Sequence, residues 1–346
     1  MGKALAAGIL FAAAAFPVGL SGQTACSAAM DLFHQKLWSG AASGFAECED
    51  HDPGKTDALL YRGKSLVNLR QFDEAMVALQ NYAKAHPQSD DAVYLLAFVS
   101  FREGKAKDSL SLFSQAAKLK PPTANDFTII ALDYVLLNDY SDAAHYLELS
   151  LQMNPDDIEA RYHLGRVRYQ QNQFDLAIAA FREVIKRDAG NVKAHDNLAL
   201  SLEAENQIEP AISEYQRAIE LDRASSFHSA QPYLNLGSLL AKSNRRDDAL
   251  PLLVRASELA PGEFRSRYEL AKAYFDSNRF ALARQQAEAA IKINGNDSPS
   301  HYLLARIYQR MGNAELAQEQ FRITSEIIRN KDAGPQSGMA TGETSH

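Results

Sequence analysis

The chain has 346 residues, room for two ordinary domains or one long repeat array, and its 46% hydrophobic and 23% charged residues are the balance of a folded protein in water. Its 43 acidic residues against 36 basic ones leave a formal net charge of −7. That excess weighs against a nucleic-acid partner, because binding a phosphate backbone needs a net basic face.

The first residues read as a leader. Lys3 precedes a charge-free apolar run from Ala4 to Phe16, which Pro17 and Gly19 break. Small residues follow at Gly19, Ser21, Gly22 and Ala25. This is the order of a secretory signal peptide, here residues 1–25. An uncleaved anchor is the other reading, since Ala4 to Ala25 is long enough to span; the polar turn from Ser21 to Thr24 favours cleavage. No later segment is apolar enough to cross a bilayer, so the expected location is periplasmic or extracellular. Cys26 and Cys48 are the two cysteines, and an even count in an exported chain suggests a disulfide. Cys26 as a lipidated first residue is an alternative; Gln23-Thr24-Ala25-Cys26 has the small residue this needs but not the aliphatic one three positions before.

From residue 22 onward the chain repeats itself with a period of 34 residues. Leu164-Gly165, Ala177 and Phe181 set a frame. One period on stand Leu198-Ala199, Ala211 and Tyr215; one period back stand Ile130-Ala131, Ala143 and Leu147. After a four-residue insertion at 226–229 the frame resumes at Leu236-Gly237, Ala249 and Leu253, then at Leu270-Ala271 and Leu304-Ala305. Nine units follow, starting near 22, 56, 90, 124, 158, 192, 230, 264 and 298. The insertion is either a bend between units or a longer surface loop.

Each unit reads as two helices. Tyr162, Leu164 and Tyr169 belong to a first amphipathic helix, and Asp175 to Lys186 form the second, with Ala177, Ile178, Phe181, Val184 and Ile185 on its apolar side. The turns between them carry Asn or Gly, as in Asn138-Asp139, Asn206 and Gly312, residues that accept the left-handed backbone ending a helix. Pro53, Pro87, Pro121, Pro155 and Pro261 stop the second helices. Counting places from each unit's start, the small residue at place eight faces Ala or Ser at place twenty, which lets the two helices approach, and the larger residue at place twenty-four fills the gap above. One such pair cannot bury its apolar face, so stacking is obligatory.

The pattern resembles the tetratricopeptide repeat family, over residues 22–331. The most faithful copies begin at 158, 230 and 298; Arg62, where Leu is usual, and Ala287, where an aromatic is usual, depart mildly. The resemblance implies an all-α right-handed superhelical solenoid whose inner wall is built from the first helices. It also implies a protein- or peptide-binding scaffold.

By that family's geometry, places two, five, nine and twelve of each first helix face the groove. They include Tyr94, Phe98 and Phe101, then Tyr162, Arg166 and Tyr169. Further on they include Arg265, Tyr268, Lys272 and Phe275, then Tyr302 and Arg306. Aromatic residues and Arg are the types that anchor partners, and a basic, aromatic wall suits a partner with acidic and apolar groups. The same residues could equally pack neighbouring first helices. Tyr162 and Arg166, or Asp196 and Leu200, stand where a carboxylate clamp for chaperone tails would need Lys and Asn, so that ligand is not expected.

At the ends, Cys26 at place five and Cys48 at place twenty-seven fall near one another in an antiparallel hairpin, where a bridge would stabilise the outermost unit by roughly 3 kcal/mol. Ile178 and Ile185, or Ile212 and Ile219, which should face the next unit, become Gln318 and Ser325 in the last one, a polar face suited to a terminal repeat. Residues 332–346 hold Gly, Pro, Ser and Thr and read as a disordered tail.

No phosphate loop, dinucleotide glycine pattern, His-Glu-x-x-His or nucleophile elbow occurs, so neither an enzyme nor a cofactor or metal site is expected. The polar run from Glu47 to Asp52 falls on a unit end and reads as a solvated loop. Three functions stay open. The first is an exported scaffold binding a peptide in its groove. The second is an accessory subunit of a cell-envelope assembly using its convex face and ends. The third is a saccharide-binding protein. The oligomeric state is not legible.

Overall fold

A computed structural model describes residues 22–51, 57–226 and 228–332. Of the leader expected over 1–25, residues 1–21 lie outside the described residues, as do residues 333–346 of the tail expected over 332–346. Every regular element among the described residues is an α-helix. The chain divides into two compact units, residues 1–160 and 161–346, and the division falls inside α9 (Ile158–Gln170).

The first unit holds α1 (Gly22–His34), α2 (Trp38–His51), α3 (Asp57–Asn68), α4 (Phe72–Ala85), α5 (Asp90–Arg102), α6 (Ala106–Ala116), α7 (Ala124–Leu136) and α8 (Tyr140–Met153). The second holds most of α9, then α10 (Phe174–Arg187), α11 (Val192–Ala204), α12 (Ile208–Arg223), α13 (Gln231–Lys242), α14 (Arg246–Leu259), α15 (Phe264–Asp276), α16 (Phe280–Ile293), α17 (Ser298–Arg310) and α18 (Ala314–Asp332). Within each unit, consecutive helices pack into antiparallel hairpins and the hairpins stack.

The turn inside each hairpin is the most regular feature. Lys36, Arg70, Gly104, Asn138, Asn172, Asn206, Asn244, Asn278 and Gly312 all have positive φ, between 57° and 79°. Each occupies place fifteen of its repeat. The next residue closes the turn: the Gln173 N–H donates to the Arg168 carbonyl at 2.9 Å, and the same bond recurs from Gln207 to Leu202 at 2.8 Å. This is the six-to-one bond of a Schellman cap, which satisfies carbonyls the helix leaves open. First helices are begun by side chains: Ser89, Asn191 and Asp297 accept the N–H groups of Ala92, Ala194 and Ser300.

The close approach within a hairpin has a measurable cause. A Cβ added to Gly63, Gly165 or Gly237 would lie 2.6, 2.7 or 2.8 Å from the side chain of Leu79, Phe181 or Leu253 respectively. Place eight must therefore be small because the residue at place twenty-four lies directly against it. At the third repeat the same closeness lets the Ser109 hydroxyl at place twenty donate to the Ala97 carbonyl at place eight, 3.0 Å away.

One layer of helices also approaches its own kind. In the second unit α11 touches α13, α13 touches α15, and α15 touches α17; in the first, α1 touches α3, α3 touches α5, and α5 touches α7. No corresponding approach of α12 to α14 or of α14 to α16 is found among the described residues. Within each unit the first helices thus form the tighter, inner layer. Along the second helices, Ile178, Ile212 and Ile219 are buried, while Gln318 and Ser325 on α18 are exposed.

Candidate functional site

The expected wall residues divide by what they touch. In the first unit, Tyr94, Phe98 and Phe101 are half-buried and join an aromatic cluster with Phe113, Phe127 and Tyr134. The Tyr94 hydroxyl donates to the Lys120 carbonyl at 2.7 Å, and burial pushes its phenol upward from the ordinary value. The Arg102 guanidinium lies 5.8 Å from the Phe98 ring and 5.0 Å from Phe72. These side chains hold α5 to its neighbours more than they face outward.

In the second unit the cations lie at the surface. Arg166, Arg265, Lys272 and Arg306 are exposed, and Tyr302 is 49% exposed with its ring edge-on to Phe321 at 5.7 Å. Tyr268 is half-buried, stacked on Phe264 at 6.2 Å. Tyr169 packs against Phe174 at 5.4 Å. Phe275 is buried, and the Arg306 guanidinium covers its ring at 4.8 Å, so at this place the surface shows the cation rather than the aromatic. The wall residues among these lie on the first helices α9, α15 and α17, of which α15 and α17 belong to the inner layer. Their chemistry is a basic surface with aromatic edges.

Tyr162 links this wall to a feature the repeat pattern does not contain. Its ring packs on Phe181 at 5.8 Å and its hydroxyl accepts the Asn197 side-chain N–H at 3.2 Å; burial raises its phenol, with Arg166 offsetting part. Beside it opens a cleft of about 440 Å³, between Tyr162, the start of α11, and the segment joining α12 to α13. That segment carries the insertion.

Two carboxylates lie at this cleft. Asp196 is 5% exposed and accepts both hydrogen bonds from the Asn235 amide, at 3.0 and 3.2 Å, while Asn235 is in turn held by Gln231 at 2.9 Å. Burial pushes the Asp196 carboxyl up to about 6, and Asn235 and the Arg265 charge offset part of the rise. Asp222 is 1% exposed. Its Oδ1 accepts the Ser229 N–H at 2.7 Å, which fixes the joining segment, whereas Oδ2 accepts no hydrogen bond among the described residues. His228 lies 3.5 Å from that oxygen, but its Nδ1 is engaged with the Asp222 main-chain carbonyl at 3.0 Å. Nothing in the periodic reading marks Asp222, Asn235 or His228; the insertion was the only sign that this junction differs.

Among the described residues no group of three or more His, Cys, Asp or Glu is arranged to hold a metal ion, and no helix is long and apolar enough to cross a membrane. The sulfurs of Cys26 and Cys48 stand at bonding distance, with Cα atoms 5.1 Å apart.

Comparison with known proteins agrees with this architecture. Models described as tetratricopeptide repeat match residues 130–192, 164–228, 240–307 and 298–322, which together span more than half of the chain. A model described as anaphase-promoting complex, cyclosome, subunit 3 matches residues 68–148. Among curated proteins, DnaJ homolog subfamily C member 3 of Gallus gallus is 21% identical over 291 residues, 76% of this chain and 58% of that protein. BBSome complex member BBS4 of Xenopus tropicalis is 22% identical over 292 residues, 74% of this chain and 55% of that protein. The chain thus spans little more than half the length of these relatives. The crystal structure of the APC/C hetero-tetramer Cut9–Hcn1 superposes with a TM-score of 0.58 at 16% identity, over 84% of this chain and 57% of that one, a likeness of fold.

Proposed function

Because the chain belongs to the tetratricopeptide repeat family, whose members mediate protein–protein interactions, we propose that it is an exported, non-enzymatic scaffold. It binds a peptide or protein segment along the inner layer of its second unit. The observation that carries this reading is the exposure of Arg166, Lys272, Arg306 and Tyr302 on first helices of the second unit. Cations with aromatic edges favour a segment carrying acidic and apolar side chains. Export rests on the leader at residues 1–25 and is supported by the Cys26–Cys48 pairing, since such bonds persist in oxidising compartments. A subunit role within a larger assembly is the second reading, favoured by the matched relative named as a BBSome complex member.

The test is affinity capture from a cell-envelope extract with the wild-type chain and with an Arg166→Glu, Lys272→Glu variant, whose changes touch only exposed side chains. A partner held by the wild type and lost by the variant supports recognition on this wall. A partner retained by both places recognition on the convex face or the ends and overturns it.

A further inference from the structure

The cleft beside Tyr162 has the size of a ligand pocket, which runs from about 300 to 1,000 Å³. It also carries a charge the wall lacks. Tyr162, Val192 and Pro232 give it apolar lining, and Asp196 and Asp222 line it as well. Buried carboxylates are costly unless paired, and here the pairing is incomplete. Among the described residues Asp196 accepts hydrogen bonds from the neutral Asn235 amide alone, Arg265 acting on it through charge without a hydrogen bond, and Asp222 Oδ2 accepts none. Lys193 also lines the cleft and is exposed, and Arg265 is the cation whose charge reaches Asp196.

An occupant that satisfies both features needs an apolar stem and a cationic head. We propose that this cleft takes a lysine or arginine side chain of the bound partner segment, its methylene stem against Tyr162, Val192 and Pro232 and its charged head toward Asp196 and Asp222. The inference rests on the scaffold reading and deepens it: the recognised segment is acidic and apolar along the basic wall, with one basic residue seated at the insertion. The head gains charge-assisted hydrogen bonds in a partly desolvated setting, and the Tyr162 ring adds a cation–π face. The insertion is what makes the site, because the Asp222 carboxylate holds the joining segment through the Ser229 N–H instead of facing a repeat in register.

The experiment titrates the full chain with Nα-acetyl-lysine amide and Nα-acetyl-arginine amide, with Nα-acetyl-norleucine amide as the uncharged control. The ring resonances of His228, assigned by their loss in His228→Gln, report on the cleft. A saturable shift with the cationic probes, and binding of norleucine about tenfold weaker, is the expected result. Asp222→Asn and Asp196→Asn each weaken the cationic probes by about tenfold. Lys193→Glu, on an exposed side chain, tightens them several-fold and keeps the proposal exposed to refutation should the aspartate variants unfold. Equal binding of norleucine, no saturable shift at His228, or indifference to Lys193→Glu overturns it. The Arg166→Glu, Lys272→Glu variant leaves the small cationic probes bound. Failure of the pocket with partner loss in that variant therefore refutes this inference alone.

Discussion

His195 and Glu214 stand 19 residues apart in sequence and 2.6 Å apart in space, Nδ1 of the imidazole on α11 meeting the carboxylate on α12. The other ring nitrogen faces the Ala189 carbonyl at 3.3 Å, in the loop that enters the repeat. Two later repeats build the same latch from other residues. His301 meets Gln320 at 2.7 Å and the Gly295 carbonyl at 3.1 Å. Arg267 meets Gln286 at 2.8 Å and the Pro261 carbonyl at 3.3 Å. In each case a side chain at place four ties the incoming loop to the second helix of its own hairpin. His195 and His301 are each 6% exposed, so truncation breaks both bonds of the latch and leaves a gap where a buried ring stood. We expect His301→Ala to lower stability by about 1–2 kcal/mol, with lost amide protection concentrated at the start of α17. A variant whose urea midpoint and exchange pattern match the wild type would show that the latch carries no stability.

Glycine chemistry predicts opposite effects at place fifteen, in the turn, and at place eight, in the helix contact. Lys36 and Arg70 hold φ of 59° and 60°, where a side chain is strained, while the equivalent places elsewhere carry Asn or Gly. Arg70→Gly should therefore stabilise the first unit by about 0.5–1 kcal/mol, read as a higher urea midpoint. At Gly165 the reverse holds: the added Cβ of Gly165→Ala meets the Phe181 ring, a rigid group that is fully buried. A loss of about 1–3 kcal/mol is expected, largely recovered when Phe181→Leu is added. If the double variant is no more stable than Gly165→Ala, the contact is not the cause.

The hairpins were legible because their signals are local and repeated. Asn172 announces its own left-handed turn, and the spacing of Gly165, Ala177 and Phe181 announces two closely packed helices. What escaped was set by pairings between distant residues or by departures from the repeat. Nothing in the sequence near His195 points to Glu214. Phe275 stands at a wall place, yet Arg306 from the next first helix covers its ring, a relation that only stacking reveals. The Asp196 and Asp222 carboxylates come to one cleft through the conformation of an insertion that the period treats as an interruption.

A pH dependence follows from a carboxyl in the first unit. Asp133 on α7 is fully buried, and its oxygens accept no hydrogen bond among the described residues. The Ser109 hydroxyl that could reach it donates instead to the Ala97 carbonyl. Burial therefore pushes the Asp133 carboxyl up to about 7 from 3.8, with the nearby Ser109 hydroxyl offsetting a smaller part. At this group the folded state then binds more protons than the unfolded one between those values, so the contribution of Asp133 to stability falls as pH rises from about 4 to about 7 and levels off above. Asp196, pushed up to about 6, contributes in the same direction over a narrower range. Asp133→Asn should remove most of the slope belonging to the first unit, so that the variant gains on the wild type as pH rises from about 4 to about 8. Melting temperatures of wild type and variant taken from pH 4 to pH 8 decide it: the curves converge at the acid end if the carboxyl is responsible and stay parallel if it is not.

The first repeat tests the compartment as well as the fold. Its small core of Ala29, Ala41, Phe45 and Cys48 packs against α3 on one side, with no repeat before it among the described residues. A bond between Cys26 and Cys48 closes a loop of 22 residues and should stabilise this hairpin by about 3 kcal/mol, chiefly by restricting its unfolded state. Protein purified from its native compartment without reductant, then denatured and treated with an alkylating agent, should react at neither cysteine until it is reduced. Reduction, or Cys26→Ser with Cys48→Ser, should speed amide exchange in α1 and α2 while leaving the second unit unchanged. Free thiols in the unreduced protein would remove the bridge and with it one of the two supports for export; the scaffold reading, which rests on the second unit, would stand.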